Sequence, residues 1–292
     1  MSSIPHDARE MLVHRGCHLS EELPVHELLY ADDTLLIDMY GNNVQQYMNA
    51  VVELGKEYGM QINWKKVDVM QMRAEADICD PGGKVLVSKD SIKYLGALLH
   101  ESGKIDSELS RRIGIASGDF KKLSAVWNHS SLSKQRKFQI YRACICSNVL
   151  YGLQTAWLTK SQRGRLDGFD ARCLRKILGI KSAYWSRVSN HRVLVKLNAV
   201  TLSTLLLEQQ LLLFRNLFDL PDEDIRRQMV FQAGSAELRG LVNKRRRGRP
   251  RLSWALEVQK HVLQIVRDPE LTARQLKDKK GWKEQVRAYT RK

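Results

Sequence analysis

Proline is scarce in this chain, six in 292 residues, and glycine is limited to 18. Those low counts exclude a collagen-like chain and a Pro/Gly-rich disordered one, and a hydrophobic fraction of 43% is enough to build a core. Cysteine is sparse and odd in number: Cys17, Cys79, Cys144, Cys146 and Cys173. Cys144 and Cys146 are spaced CxC, and no pairing of cysteine with the eight histidines gives a zinc-finger spacing. Free, mostly buried thiols in a reducing compartment are expected. The Leu-rich stretch from Leu194 to Phe218 is interrupted by Lys196, Asn198, Glu208, Gln209, Gln210 and Arg215, which makes it too polar to span a bilayer. Polar and charged residues follow Met1 with no apolar core, so no secretory leader is expected. The expected location is nuclear or cytoplasmic, neither secreted nor in a membrane.

Charge of one sign dominates, with a net of +16. Such a protein concentrates near polyanions, of which nucleic acid is the commonest. The charge is uneven. Residues 1–104 carry 10 Lys+Arg against 16 Asp+Glu, a net of −6, and residues 105–292 carry a net of +22. An acidic block followed by a basic one suggests two tasks, the first suited to metal ions and the second to a phosphate backbone.

Patterning separates the same two halves. Residues 1–25 show no clear periodicity. His26 to Met39 reads as strand, polar turn, strand, with the turn at Ala31-Asp32-Asp33-Thr34. Val44, Tyr47, Met48, Val51 and Val52 recur at helical spacing and predict a helix over 43–57, ended by Gly59. Strands are expected at 60–72, 84–87 and 92–99, with a turn at Pro81-Gly82-Gly83. Beyond Gly103 the pattern is helical. Ile105, Leu109, Ile113, Ala116, Phe120 and Leu123 give a first helix, and Ser133 caps a second reaching about Leu150. Thr159 or Ser161 caps a third, a fourth spans roughly 190–218, and Ser253 caps a short one. The expected fold is α+β: a partial antiparallel sheet with one helix over 1–104, a mostly helical region over 105–225, and a basic C-terminal region over 226–292.

Two adjacent carboxylates, Asp32 and Asp33, carry the sharpest chemical signal. Like charges repel at that spacing, and a divalent cation with hard oxygen ligands removes the cost. An isolated Asp-Asp pair reads as a solvated turn. Here Leu28, Leu29 and Tyr30 precede it and Leu35, Leu36 and Ile37 follow, so a hairpin buried in a sheet, with its turn at the edge, is expected.

Tyr30-Ala31-Asp32-Asp33-Thr34 resembles the metal-binding palm motif of reverse transcriptases. Gly59-Met60-Gln61-Ile62-Asn63-Trp64-Lys65-Lys66-Val67 resembles the segment that follows a helix in that family, with Val67 in place of its usual Thr. Lys93-Tyr94-Leu95-Gly96 resembles its primer-grip hairpin. Order and spacing make the three specific together. The resemblance implies Asp32 and Asp33 as catalytic Mg²⁺ ligands in two-metal nucleotidyl transfer and Lys66 as a cation beside the incoming triphosphate. It implies Lys93, Tyr94, Leu95 and Gly96 as the primer grip, with an RNA template and DNA primer as partners. It also makes 1–104 a partial palm-type unit of metal-carboxylate hairpin, helix and primer-grip-like hairpin, and 105–225 a thumb-like region.

The basic half resembles the non-LTR, LINE-type branch. Leu150-Tyr151-Gly152 with Trp157, the run Phe169 to Gly179, the stretch Leu217 to Phe231 and Arg247-Gly248-Arg249-Pro250-Arg251 with Trp254 carry that likeness. Arg111, Arg112, Lys121, Lys122, Arg172, Arg175 and Lys176 form a group suited to a template–primer duplex. Lys244, Arg245, Arg246, Arg247, Arg249 and Arg251 are a candidate nucleic-acid-binding run. It reads as a phosphate anchor first, with an A·T minor-groove reader or a nuclear localisation signal as alternatives. The family also needs fingers and a carboxylate from an earlier palm strand, for which 29 residues before Tyr30 are too few. Asp7 and Asp38 are candidate third carboxylates, and Gly16 to Ser20 only faintly echoes a further motif. The expectation is a reverse-transcriptase fragment, inactive alone, with a non-catalytic nucleic-acid-binding protein or an inert relic as alternatives.

Overall fold

The computed structural model describes residues 3–21, 23, 25–129, 131–239, 253–268 and 271–291. The run from Lys244 to Arg251 lies outside them. The chain divides into two compact units, Met1–Ser107 and Glu108–Lys292.

The N-terminal unit opens with a helix, α1 (Ser3–His14). No periodicity was expected there, yet Ile4, Ala8 and Leu12, spaced by four, form one buried stripe. They pack on Tyr47, Ala50 and Leu54 of the next helix, α2 (Gly41–Glu57). Between these helices, β1 (Glu27–Tyr30) pairs antiparallel with β2 (Asp33–Leu36), Tyr30 opposite Asp33. The sheet expected as one body is two separate ribbons, and the unit holds two long helices rather than one.

The second ribbon corrects a single strand expected over 92–99. β3 (Ser91–Tyr94) turns back at Leu95 and Gly96 into β4 (Ala97–His100). Both turn residues take positive φ, 46° and 77°, which matches the twist of a two-residue hairpin. The strands expected at 60–72 and 84–87 are isolated bridges, Val69 with Ser88 and Cys79 with Val85, among the described residues. Asn63 caps a 3₁₀ turn, Trp64–Lys66, by accepting from the Lys65 N–H, so the chain coils where a strand was expected. Gln45 of α2 replaces ladder bonds, holding Cys79 through its N–H at 2.6 Å and its carbonyl at 3.0 Å. A Cβ on Gly41 would lie 2.1 Å from that of Ala76, so the loop can approach α2 only at glycine.

Asp38 ties the unit together. Its side chain, 1% exposed, accepts from Ser20 N–H (3.0 Å), Tyr40 N–H (2.9 Å) and Asn43 Nδ2 (3.0 Å). His26 Nδ1 lies 3.2 Å away without an aligned hydrogen bond.

The C-terminal unit is almost wholly helical. α3 (Asp106–Lys122) leads into α4 (Ser124–Asn128) and α5 (Lys134–Tyr141). A π turn, Arg142–Cys146, then continues into α6 (Ser147–Leu150). Ser133 caps α5, and Thr159 closes a capping box with Gln162 on α7 (Lys160–Leu178). α8 (Ala183–Ser186) and α9 (Asn190–Lys196) follow. The single helix expected over 190–218 is broken: Asn198 takes φ 48°, and Thr201 caps a new helix, α10 (Leu202–Phe218). α11 (Ile225–Gln228), α12 (Trp254–Val266), α13 (Thr272–Lys277) and α14 (Lys279–Thr290) complete the unit. Leu211, Phe214 and Phe218 of α10 pack on Val258, Val262, Trp282 and Val286 in a shared core. Each such fully buried side chain contributes about 1.5–3 kcal/mol. Both sheets and helices are thus present, and the fold is α+β as expected.

A second carboxylate sits in this helical interior. Asp170 of α7 is 4% exposed and accepts from the Tyr141 hydroxyl at 2.8 Å. Burial pushes its pKa up to about 7 against the pull of Tyr141, of Arg142 and of the Leu202 N–H. One turn earlier, Asp167 accepts from the Ser203 N–H at 2.9 Å and its hydroxyl at 2.7 Å. Two carboxylates therefore sit at the start of α10, where helix N–H groups lack partners.

Two pH effects of opposite sign follow. Burial raises the Asp38 pKa, but the bonds from Ser20, Tyr40 and Asn43 and the nearby His26 outweigh it, so the net shift is downward. Its contribution is present above the usual carboxylate pKa, about 3.9, and is lost as pH falls through the depressed folded value. Asp38→Asn should cost about 1–2 kcal/mol at neutral pH and flatten the acid limb of a thermal-unfolding series below about pH 4. Asp170 behaves in reverse. Its folded pKa is raised, so the folded state holds a proton that the unfolded state loses, and stability falls as pH rises from about 4 to about 7. Asp170→Asn should remove that slope from the same series.

Candidate nucleotidyl-transfer site and nucleic-acid surface

A two-residue turn, Ala31-Asp32, places the acidic pair at the tip of the first ribbon, with Asp33 already paired in β2. Ala31 takes φ 54°, the mirror-image region such tight turns require. Asp32 and Asp33 are both exposed. The ribbon itself is not buried, contrary to expectation: Leu28 is 42%, Leu29 40% and Tyr30 64% exposed. Apolar flanks predict a covered ribbon only where a neighbouring element supplies the cover, and a two-stranded ribbon leaves most of its faces open.

Three contacts fix the ribbon. Glu27, at the start of β1, accepts a hydrogen bond from the buried Tyr47 hydroxyl of α2. Leu36 of β2 packs against the α1–α2 core. The Tyr94 hydroxyl donates to the Leu28 carbonyl at 3.0 Å, joining the second ribbon to the first. Burial raises the Tyr94 pKa, and the charge of Asp33 adds to the effect. The ribbons that carry Asp33 and Tyr94, singled out from separate motifs, are therefore joined.

The other sequence-selected residues are dispersed. Lys66 is exposed on its 3₁₀ turn, and no ion pair joins it to Asp32 or Asp33 among the described residues. Lys93 is exposed on β3 opposite Leu98, while Leu95 and Gly96 form the hairpin turn. Asp38 and Asp7 do not complete a carboxylate set. Asp38 is committed to the bonds described above, and Asp7 accepts from the Tyr58 hydroxyl at 3.0 Å. No group of three or more His, Cys, Asp or Glu side chains suited to a metal ion occurs among the described residues. Two carboxylates can be the protein's share of a Mg²⁺ shell that phosphates complete, but they do not make a two-metal site.

In the C-terminal unit the fold itself uses part of the expected basic group. Arg111 and Arg112 bond the buried Glu108 at 2.7 and 2.6 Å, and Arg112 lies over the Tyr151 ring at 4.6 Å. Arg175, 6% exposed, donates to the Val188 carbonyl at 2.6 Å and to Asn190 Oδ1 at 2.8 Å. Lys122 pairs with Asp119 at 3.1 Å. Lys121, Arg172 and Lys176 are exposed. Two buried arginines were not singled out as structural from the sequence. Arg215 donates to the Leu276 carbonyl at 3.0 Å, and Arg227 donates to Asp222 at 2.7 Å and lies over Phe218 at 4.7 Å. Their only sequence signal is position near a helix end, where carbonyls lack partners.

The Tyr94 tie can be tested alone. Tyr94→Phe removes one bond of about 1 kcal/mol. Amides of Glu27–Leu36 should then exchange with solvent about fivefold faster, with those of α2 unchanged.

No helix among the described residues is long and apolar enough to cross a membrane. No curated protein and no solved structure matches the chain. Residues 9–99, the segment that carries both ribbons, α2 and the stretch Gly16 to Ser20 set aside above, match the family described as Reverse transcriptase (RNA-dependent DNA polymerase).

Proposed function

We propose that this chain is part of an RNA-directed DNA polymerase of the non-LTR, LINE-type retrotransposon kind. In this reading its N-terminal unit holds the metal-carboxylate ribbon, and its helical unit serves as thumb and basic C-terminal region, over 105–225 and 226–292. The observation that carries it is the contact between the Asp33 ribbon and the Tyr94 ribbon inside the matched segment. A join between the ribbon of Asp32 and Asp33 and the ribbon of Lys93 to Gly96 supports a polymerase palm. Asp32 and Asp33 are its metal carboxylates and Mg²⁺ its ion, which would offset their repulsion and draw a primer end or triphosphate. Lys66, Lys93 and the Lys244–Arg251 run supply cations for phosphates. The uncovered faces of Leu28, Leu29 and Tyr30 support a further element: strands of a larger palm would cover them.

A non-catalytic nucleic-acid-binding role is favoured for the chain by itself. The carboxylates at the tip number two, with no third ligand among the described residues. The helical unit meanwhile carries a net charge of +23. The chain alone should bind an RNA–DNA duplex, and the affinity should fall steeply with salt. It should give no primer extension on homopolymer RNA with Mg²⁺. Extension lost in Asp32→Asn would show a complete site and overturn the non-catalytic part. Salt-independent binding, or none, would overturn the rest.

A further inference from the structure

Most large aromatic side chains of the helical unit are buried or partly buried, with Trp127 3% and Trp282 0% exposed, although Tyr151 is 54% exposed. Two adjacent rings on α8 break that rule: Tyr184 is 68% and Trp185 74% exposed. They meet edge to face, centroids 5.1 Å apart at 87°, so each ring braces the other and keeps a face open.

The helix that presents them is only four residues long and has no stability of its own. Buried Arg175 supplies the scaffold. Its guanidinium reaches the Lys181 carbonyl before α8 at 3.4 Å, Ser186 Oγ within it at 3.4 Å, and the Val188 carbonyl and Asn190 Oδ1 beyond it. Both ends of the short helix are thereby tied to α7. Val193 and Leu197 anchor the following segment in the core.

The chemistry around the pair is of one sign. Between Asp170 and Glu208 there is no acidic residue and there are seven Lys+Arg. Lys181 and Arg187 flank the rings in sequence and are exposed, as are Arg192 and Lys196, four apart on α9. The Arg187 guanidinium lies 5.5 Å from the Tyr184 ring centre. Open aromatic faces beside cations, with no carboxylate in the surrounding sequence, match the way proteins hold unpaired nucleotides. Bases stack on the rings and the backbone follows the positive charge. An apolar protein surface would gain little from the cations, and a base-paired duplex keeps its base faces out of reach.

We infer that Tyr184 and Trp185, held by Arg175 and flanked by Lys181 and Arg187, form a stacking platform for single-stranded nucleic acid. The inference rests on the nucleic-acid-binding reading above and gives it a second element, separate in sequence from the Lys244–Arg251 run. Template or displaced strand beyond a duplex is the chemical class it would take.

Fluorescence anisotropy on the full chain tests it, with labelled oligo(U) RNA, oligo(dT) DNA and an RNA–DNA duplex. Trp185→Ala should weaken single-strand binding about tenfold, leave duplex affinity unchanged, and leave the salt slope intact because no phosphate contact is lost. Trp185→Phe should restore most of the loss. Both changes are at the surface, and an unchanged melting temperature checks the fold. Tighter binding of oligo(U) than oligo(dT), or the reverse, supports the platform and identifies the source of the strand. Equal loss on the duplex, or no loss anywhere, overturns it. If the unmutated chain binds duplex but neither single strand, the platform falls and the wider reading stands. If it binds none of the three, both fall.

Discussion

A two-stranded ribbon in water is marginal at best, so the acidic tip of this protein depends on what grips the ribbon from outside. Three grips do so, each of a different kind. Tyr47 bonds Glu27 at the base, Leu36 enters the apolar core, and Tyr94 bonds the Leu28 carbonyl on the strand itself. The first two come from α2 and its core, which exist because α1 covers α2. The third comes from the second ribbon. The position of Asp32 and Asp33 is therefore set by residues far off in sequence, and the short strands contribute only the turn. Because the anchors lie at the base and along one strand, the remaining faces stay open, and an open apolar face beside two carboxylates is what a larger palm sheet would use.

The helical unit solves a different problem. Many short helices meet there, and every end leaves carbonyls or N–H groups without partners. Buried charges meet that need. Arg175, Arg215 and Arg227 close carbonyls, and Asp167 serves the start of α10. An unpaired charge inside a protein is costly, but each of these carries several bonds, two of the arginines reach a carboxylate, and the arrangement fixes one geometry. Net charge thus overstates how much of the basic surface is free for a polyanion. Some of the cations that look like phosphate contacts in the sequence are structural, and the exposed remainder, such as Lys121, Arg172 and Lys176, carries the field.

Much of this was legible in the sequence where the signal was local. The helix over 43–57, the caps at Ser133 and Thr159, and the hairpin around Asp32 all follow from spacing and capping residues. The failures share a cause. The 60–72 and 84–87 segments alternate like strands, but the capped turn at Asn63 coils the first, and Gln45 takes both backbone groups of Cys79, the residue bridged to Val85. The apolar run over 92–99 masked the Leu95-Gly96 turn from periodicity, and only the resemblance to a primer-grip hairpin pointed to it. The break at Asn198 and Thr201 was written in a left-handed Asn and a capping Thr, and the continuous leucines masked it. For the site, the order of the motifs was readable, while the bond from Tyr94 to the Leu28 carbonyl that joins their ribbons was not. The openness of the ribbon was not readable, since apolar flanks report a preference for burial and not whether a neighbour satisfies it.

That distinction bears on how the motifs of the basic half should be interpreted. Gly152 takes φ 77° and Gly179 φ 71°, each closing a helix as only glycine does without strain. Trp157 packs on the α10 core, and Trp254 donates to the Gln154 carbonyl at 2.8 Å. These landmarks, prominent in the sequence, serve the fold. A ring whose faces are satisfied inside the protein has nothing left to offer a ligand. Trp185 is the contrary case. Its surroundings spend a buried arginine on holding a four-residue helix whose largest side chains touch little but each other and a cation. Stability alone does not account for that arrangement, because Tyr184 and Trp185 bury too little surface to offset the cost of ordering them. The residues that best mark function here are therefore those the fold supports and does not itself use.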